Sequence, residues 1–95
     1  MGGNKVKLKQ MLQNGAKIID VRSRGEFASG NFPGAINIPL DELATKVDSI
    51  GKKDQPVIVY CASGMRSSSA QRVLVSAGFE NVENGIKHLN LMSLK

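Results

Sequence analysis

The single cysteine of the chain, Cys61, closes a short apolar run, Val57-Ile58-Val59-Tyr60, and is followed by Ala62-Ser63-Gly64-Met65-Arg66-Ser67-Ser68-Ser69-Ala70. A strand, a tight loop of small residues and a helix in that order place a sulfur where loop amides converge and where the positive end of a helix dipole points. A free thiol has a pKa of about 8.5, and only its thiolate attacks well. Three features act to lower that value here: the helix N-terminus, the loop N–H groups and the guanidinium of Arg66. Gly64 permits the backbone turn that aims several N–H groups inward, and Ser67, Ser68 and Ser69 are N-cap candidates for the helix. Such a constellation suits nucleophilic catalysis on an anionic substrate. A lone cysteine taken by itself is more often a buried strand-end residue. Gly64, Arg66 and a helix start, all correctly placed, favour the reactive one.

The remaining inventory narrows the chemistry. With one cysteine there is no internal disulfide, and no second thiol to resolve a covalent intermediate, so any group carried by Cys61 passes to an external acceptor. The single histidine, His88, falls in the last helical stretch and reads as solvent-facing rather than as a general base. No Cys/His cluster has metal-ligand spacing, so neither metal nor cofactor is expected. The formal net charge is +5, but the basic residues are scattered from Lys5 to Lys95, and Phe27, Phe32, Tyr60 and Phe79 are thinly spread. That pattern describes a solvated basic surface that assists capture of a small anion, and not a nucleic-acid platform. No apolar run has signal-peptide or membrane-spanning length. The expectation is a cytoplasmic protein, or a periplasmic one if a leader has been removed, with no membrane partner. A chain of 95 residues is one domain, 1–95, with an aliphatic core, and, having no apolar helix face to spare, it is expected to be a monomer.

Strands and helices alternate along the chain. Val6, Leu8, Met11 and Leu12 have near-helical spacing, stopped by Asn14-Gly15. Lys17 to Val21 reads as a strand, and Ser23 with Glu26 has the spacing of a capping box opening a short helix to Ser29-Gly30. Pro33-Gly34 marks a turn before a strand over residues 35–38. Leu40, Leu43, Ala44 and Val47 predict an amphipathic helix ending near Gly51. Residues 57–60 predict a central strand covered on both faces. Ala70, Val73, Leu74 and Ala77 repeat the helical pattern up to Gly78. A last short strand is expected over residues 80–83, and a final helix with Ile86, Leu89 and Met92 on one face. This alternation implies an α/β layered domain with a mostly parallel sheet, whose site lies beyond the carboxyl ends of the strands. Cys61 is at such an end.

Two separated motifs resemble the single-domain rhodanese sulfurtransferases, with the resemblance running from about Lys17 to about Gly85. Cys61-Ala62-Ser63-Gly64-Met65-Arg66-Ser67 is similar to the family's Cys-x-x-Gly-x-Arg active-site loop. Asp20-Val21-Arg22-Ser23-Arg24-Gly25-Glu26-Phe27 and Gly30-Asn31-Phe32-Pro33-Gly34-Ala35-Ile36-Asn37-Ile38-Pro39 resemble its upstream signature. The resemblance implies a three-layer α/β domain with a mostly parallel central sheet of four or five short strands flanked by helices. It makes Cys61 the nucleophile that becomes a persulfide, with the amides of Ala62, Ser63, Gly64, Met65 and Arg66 cradling the transferred sulfur and Ser67 at the mouth. Arg66 would help to bind an anionic donor such as thiosulfate; the acceptor would be a thiol, free or on a protein, or cyanide in an assay. Asp20, Arg22 and Glu26 either line the pocket or, the favoured alternative, form a hydrogen-bonded network holding the loops beneath it.

Departures from that pattern bear on the ends of the domain. Asn31-Phe32 replaces the usual His-Ile, Asn84-Gly85 stands in place of a Gly-Gly element, no Trp follows, and the strand that usually precedes the opening helix is missing or very short. Met65 offers a flexible apolar contact at the rim. Two other functions compete. Dual-specificity phosphatases of the cell-cycle type and arsenate reductases also combine Cys, loop amides and Arg, but their loops are one residue longer than the four residues here, making room for a tetrahedral oxyanion. A rhodanese-like module retained for protein binding, or as a sulfur carrier, is the other; such modules often lose the cysteine that this chain keeps.

Overall fold

The computed structural model describes residues 2–94, without the side chains of residues 2–4, 88 and 89. Its elements follow in the order α1 (Gly2–Gln13), β1 (Lys17–Asp20), α2 (Arg24–Ser29), β2 (Ile36–Asn37), α3 (Leu40–Lys46) with a 3-10 turn over Val47–Ser49, β3 (Val57–Cys61), α4 (Met65–Ser76), β4 (Val82–Lys87) and α5 (His88–Met92). The four strands form one parallel sheet in the order β2-β1-β3-β4. Parallel strands of this kind need helices on their faces, and two separate apolar clusters supply the layers. On one face Ile19, Val21, Val57, Val59 and Cys61 pack under Leu43, Ala70 and Leu74 of α3 and α4. On the other, Ile58 and Tyr60 pack with Leu8, Met11, Phe32 and Leu91. The apolar run of β3 is buried at every residue, as expected of an inner strand.

Alternation along β3 decides the orientation of the site. Val57, Val59 and Cys61 share the face covered by α4, so the sulfur sits directly beneath that helix; Ile58 and Tyr60 look the other way. The Ser23–Glu26 capping box forms at the head of α2, with the Glu26 N–H donating to Ser23 Oγ at 3.2 Å and the Ser23 N–H to Glu26 Oε1 at 3.0 Å.

Four expectations need correction. The last strand is longer and later than residues 80–83, because Gly85 lets it continue past a register shift against β3. In α5 the buried residue is Leu91 and Met92 is exposed, while Ile86 belongs to β4; Leu89 and His88 fall outside the described side chains. The helix begun at Leu40 gives way to a 3-10 turn at Val47. The serines after Arg66 do not cap α4: the helix starts at Met65 with Gly64 as its N-cap, so Ser67 to Ser69 lie inside it, and Ser67 is fully buried rather than at the mouth.

At Gly85, space decides. A Cβ there would stand 2.9 Å from Leu91 Cδ2 and 3.0 Å from Ile58 Cγ2, both fully buried. The absence of a side chain lets α5 close onto the sheet beside the bulge, a device that bends a strand and re-aims its neighbours. Gly85→Ala is expected to lower stability by about 1–3 kcal/mol in urea denaturation, and by much less in a Leu91→Ala background. Equal losses in both backgrounds would contradict this account.

Candidate active site

The end of β3 and the start of α4 are joined by Ala62-Ser63-Gly64, and the turn is made at Gly64, whose φ of +95° is left-handed. That conformation suits glycine and is strained for other residues. It swings the Gly64 N–H back onto Cys61 Sγ at 3.0 Å. The Ser67 N–H, in the first turn of α4, points to the same sulfur at 3.4 Å, and Ser67 Oγ lies 3.4 Å away. Gly64 has no side chain to cap the helix, so the sulfur accepts the N–H that a capping oxygen usually takes. The N–H groups of Met65 and Arg66 open the helix and have no protein partner among the described residues.

Cys61 is 1% exposed. Burial pushes its pKa up; a Ser67 hydroxyl turned to donate to the thiolate, together with the amides of Ser67, Ser63 and Gly64, outweighs this, and the net displacement is downward. Sulfur at this position is therefore held by oriented dipoles. Arg66 and Cys61 also attract through space, but the guanidinium has a nearer partner. Its Nη1 and Nη2 donate to Glu26 Oε1 and Oε2 at 2.7 and 3.0 Å, a bidentate pair bridging α4 and α2.

Asp20 and Arg22 form a second, separate pair. Asp20 aligns with Tyr60 in the sheet, on the face opposite Cys61. Its carboxylate accepts from the Arg22 side chain at 2.7–3.0 Å and from the Arg22 N–H at 2.9 Å. Arg22 Nη2 also donates to the Gly30 carbonyl at 2.6 Å, and the guanidinium lies 5.6 Å from the Tyr60 ring centroid. Tyr60 Oη accepts the Phe32 N–H at 3.0 Å. This buried cluster ties the upstream motif to the underside of β3. Of the three charged residues singled out in that motif, only Glu26 reaches the loop that holds the sulfur.

Around the mouth, Ala62, Ser63 and Met65 are exposed, Met65 to 78%. Arg66 lines a groove of about 510 Å³ with Ser23, Arg24, Leu40 and Glu42. Arg24 pairs with Glu42, which also accepts from Lys46 at 2.8 Å. Asn84 was missed as a site residue. It reaches from β4 to Ser67 Oγ at 2.6 Å and to the Gly64 carbonyl at 3.2 Å. The signal in the sequence was its place before Gly85, where the family pattern has a Gly-Gly element.

The rhodanese-like domain family matches residues 4–89. The chain belongs to this family. It is 35% identical over 80 residues to the thiosulfate sulfurtransferase PspE of Escherichia coli, covering 81% of this chain and 77% of that protein. To the human thiosulfate:glutathione sulfurtransferase it is 33% identical over 91 residues, covering 81% and 79%. A solved rhodanese with anions from E. coli superposes with a TM-score of 0.74 at 33% identity, covering 79% of this chain and 89% of that one. The human single-domain sulfurtransferase gives 0.76 at 29%, covering 86% and 84%. Other relatives are longer. The chain spans 18% of the adenylyltransferase and sulfurtransferase UBA4 of Meyerozyma guilliermondii, at 36% identity over 74 residues and 70% of this chain.

The Arg66–Glu26 pair makes a pH prediction. Its guanidinium partner, helped by the Ser23 N–H, holds Glu26 at about 2, below the ordinary 4.5. A lowered carboxylate contributes stability that is complete above the unfolded value and lost as pH falls toward the folded one. Wild type should thus exceed Glu26→Gln in stability by a constant margin above about pH 5, a margin that closes between pH 4.5 and 2. Urea denaturation at a series of pH values measures it; a margin independent of pH would refute the assignment.

Proposed function

We propose that the protein is a sulfurtransferase that carries sulfane sulfur on Cys61 as a persulfide, between an anionic donor such as thiosulfate and a thiol acceptor. The observation that carries this reading is the sulfur itself, buried at a helix N-terminus and accepting N–H donations from Gly64 and Ser67. Its named relatives, which include a putative sulfur carrier protein of Bacillus subtilis at 34% identity over 67 residues, 70% of this chain and 36% of that protein, support a sulfur-transferring role in general.

In the first half-reaction the Cys61 thiolate attacks the outer sulfur of thiosulfate. A sulfur–sulfur bond forms to Sγ, the bond to the sulfonate sulfur breaks, and sulfite leaves with that electron pair. In the second, an acceptor thiolate attacks the outer sulfur, and the electron pair of the persulfide bond returns to Sγ. The charge that moves is anionic throughout, and the N–H groups of Met65 and Arg66 stand at the same helix end to receive it. Four residues between Cys61 and Arg66 make a small cradle, suited to one sulfur atom more than to a phosphate. Glu26 already occupies Arg66, which favours a carrier with modest thiosulfate turnover over a fast thiosulfate enzyme.

Intact-mass measurement after thiosulfate treatment tests the proposal. Wild type should gain the mass of one sulfur atom, lose it to added thiol or cyanide, and the Cys61→Ser variant should gain nothing. No gain with any sulfur donor, together with hydrolysis of an aryl phosphate, would favour the phosphatase reading; no gain and no hydrolysis would favour a binding module.

A further inference from the structure

Ser67 has one hydroxyl proton and two neighbours that compete for it. Its Oγ is 3.4 Å from Cys61 Sγ and 2.6 Å from Asn84 Oδ1. The side-chain amide of Asn84 has a fixed orientation, because each of its ends meets a backbone group with only one role. The Ile86 N–H donates to Oδ1 at 2.8 Å, and the Gly64 carbonyl accepts from Nδ2 at 3.2 Å. Exchanging oxygen and nitrogen would set donor against donor and acceptor against acceptor. Oδ1 is therefore an acceptor, and a hydroxyl 2.6 Å away donates to it. Ser67 Oγ then turns a lone pair, not a proton, toward the sulfur. Ser67 is fully buried, so solvent is poorly placed to replace the missing donor. Asn84 is held in place from both sides: the shift in register at Gly85 brings Ile86 to a left-handed φ of 71°, and the Ile86 side chain lies against Gly64.

We infer that Asn84 is a positioning residue that sets the direction of the Ser67 hydroxyl proton and thereby holds Cys61 as a thiol until that hydroxyl turns; the inference rests on Cys61 being the sulfur-carrying nucleophile. With the proton on Asn84, the chain S–H to Oγ, O–H to Oδ1 is satisfied end to end. When the thiol proton leaves to solvent, the hydroxyl must give up a 2.6 Å bond to Asn84 before it can donate to the thiolate. The Gly64 and Ser67 amides donate to sulfur in either state. The other charges facing Cys61 are Arg66 on α4 with its partner Glu26 on α2, and Lys87, which is its exposed register neighbour on β4. Asp20 and Arg22 lie paired on the opposite face of β1. None of these changes in the variants below.

The test is the pH profile of Cys61 alkylation by iodoacetamide in the full chain, for wild type, Asn84→Ala, Ser67→Ala and the double variant. Asn84→Ala frees the hydroxyl to donate to the thiolate, so the midpoint moves to lower pH and alkylation well below it accelerates roughly three- to tenfold. In the Ser67→Ala background the same substitution has no such effect. A midpoint that moves equally in both backgrounds, moves upward, or stays still overturns the inference. Should Asn84→Ala not fold, Asn84→Asp, which adds a charge and gives up the bond to the Gly64 carbonyl, keeps an acceptor for Ser67 and Ile86 and holds the proton more firmly. Its midpoint should rise, and rise further with Ser67 present than without it; equal rises overturn the inference. No sulfur donor enters this measurement, so it is independent of the sulfur-loading result. A chain that takes up no sulfur yet shows the coupled profile loses the proposed function alone.

Discussion

A sulfur atom stands where the helix that covers it expects a capping oxygen, and the surrounding structure is arranged to keep it there. The N–H groups of Gly64 and Ser67 converge on Sγ because β3 ends directly under α4 and because the chain turns left-handed at the one residue where that conformation is cheap. The inner strand gives the contact its rigidity: every residue of β3 is buried, and each face has its own apolar cover. A thiolate at the same place in a looser loop would face the cost of burial without compensation.

Formal charge plays a smaller part than the motif suggests. The protein is cationic, yet the two arginines lining the groove at the mouth are both paired, Arg66 with Glu26 and Arg24 with Glu42. Besides Lys87, the exposed register neighbour of Cys61 on β4, what the site offers an anion is a set of fixed dipoles at the head of α4. Preorganised N–H groups in a buried site act without reorientation, which is where such groups contribute most. The ion pairs instead fix the geometry: Glu26, positioned by its own capping box, ties α2 to the first turn of α4, and Asp20 with Arg22 ties the upstream loop to Tyr60.

Much of this was legible in the residues. The strand-end cysteine, the capping box, the inner strand and the alternation of elements all follow from local patterns, since each is a short-range consequence of side-chain type. The distribution of the three charged residues in the upstream motif was not legible, because it depends on which sheet face each one meets; Asp20 and Glu26 lie close in sequence and serve different partners. Asn84, Gly85 and Leu91 were missed for a similar reason. Their roles come from a register shift in β4, and no local spacing reports the pairing of two strands so far apart in the chain. The serines after Arg66 misled in the opposite sense: they resemble caps, but the turn at Gly64 starts the helix before them and leaves the capping role to the sulfur.

The central claim is that loop amides, and not a second thiol or the Arg66 guanidinium, hold the sulfur atom that Cys61 is proposed to carry. A crystal structure of the thiosulfate-treated protein tests it most directly. The account predicts additional density bonded to Cys61 Sγ, with the outer sulfur within reach of the Met65 and Arg66 N–H groups and the Arg66–Glu26 pair intact. An outer sulfur directed into the apolar layer beneath α4, or seated on an Arg66 guanidinium that has released Glu26, would contradict it.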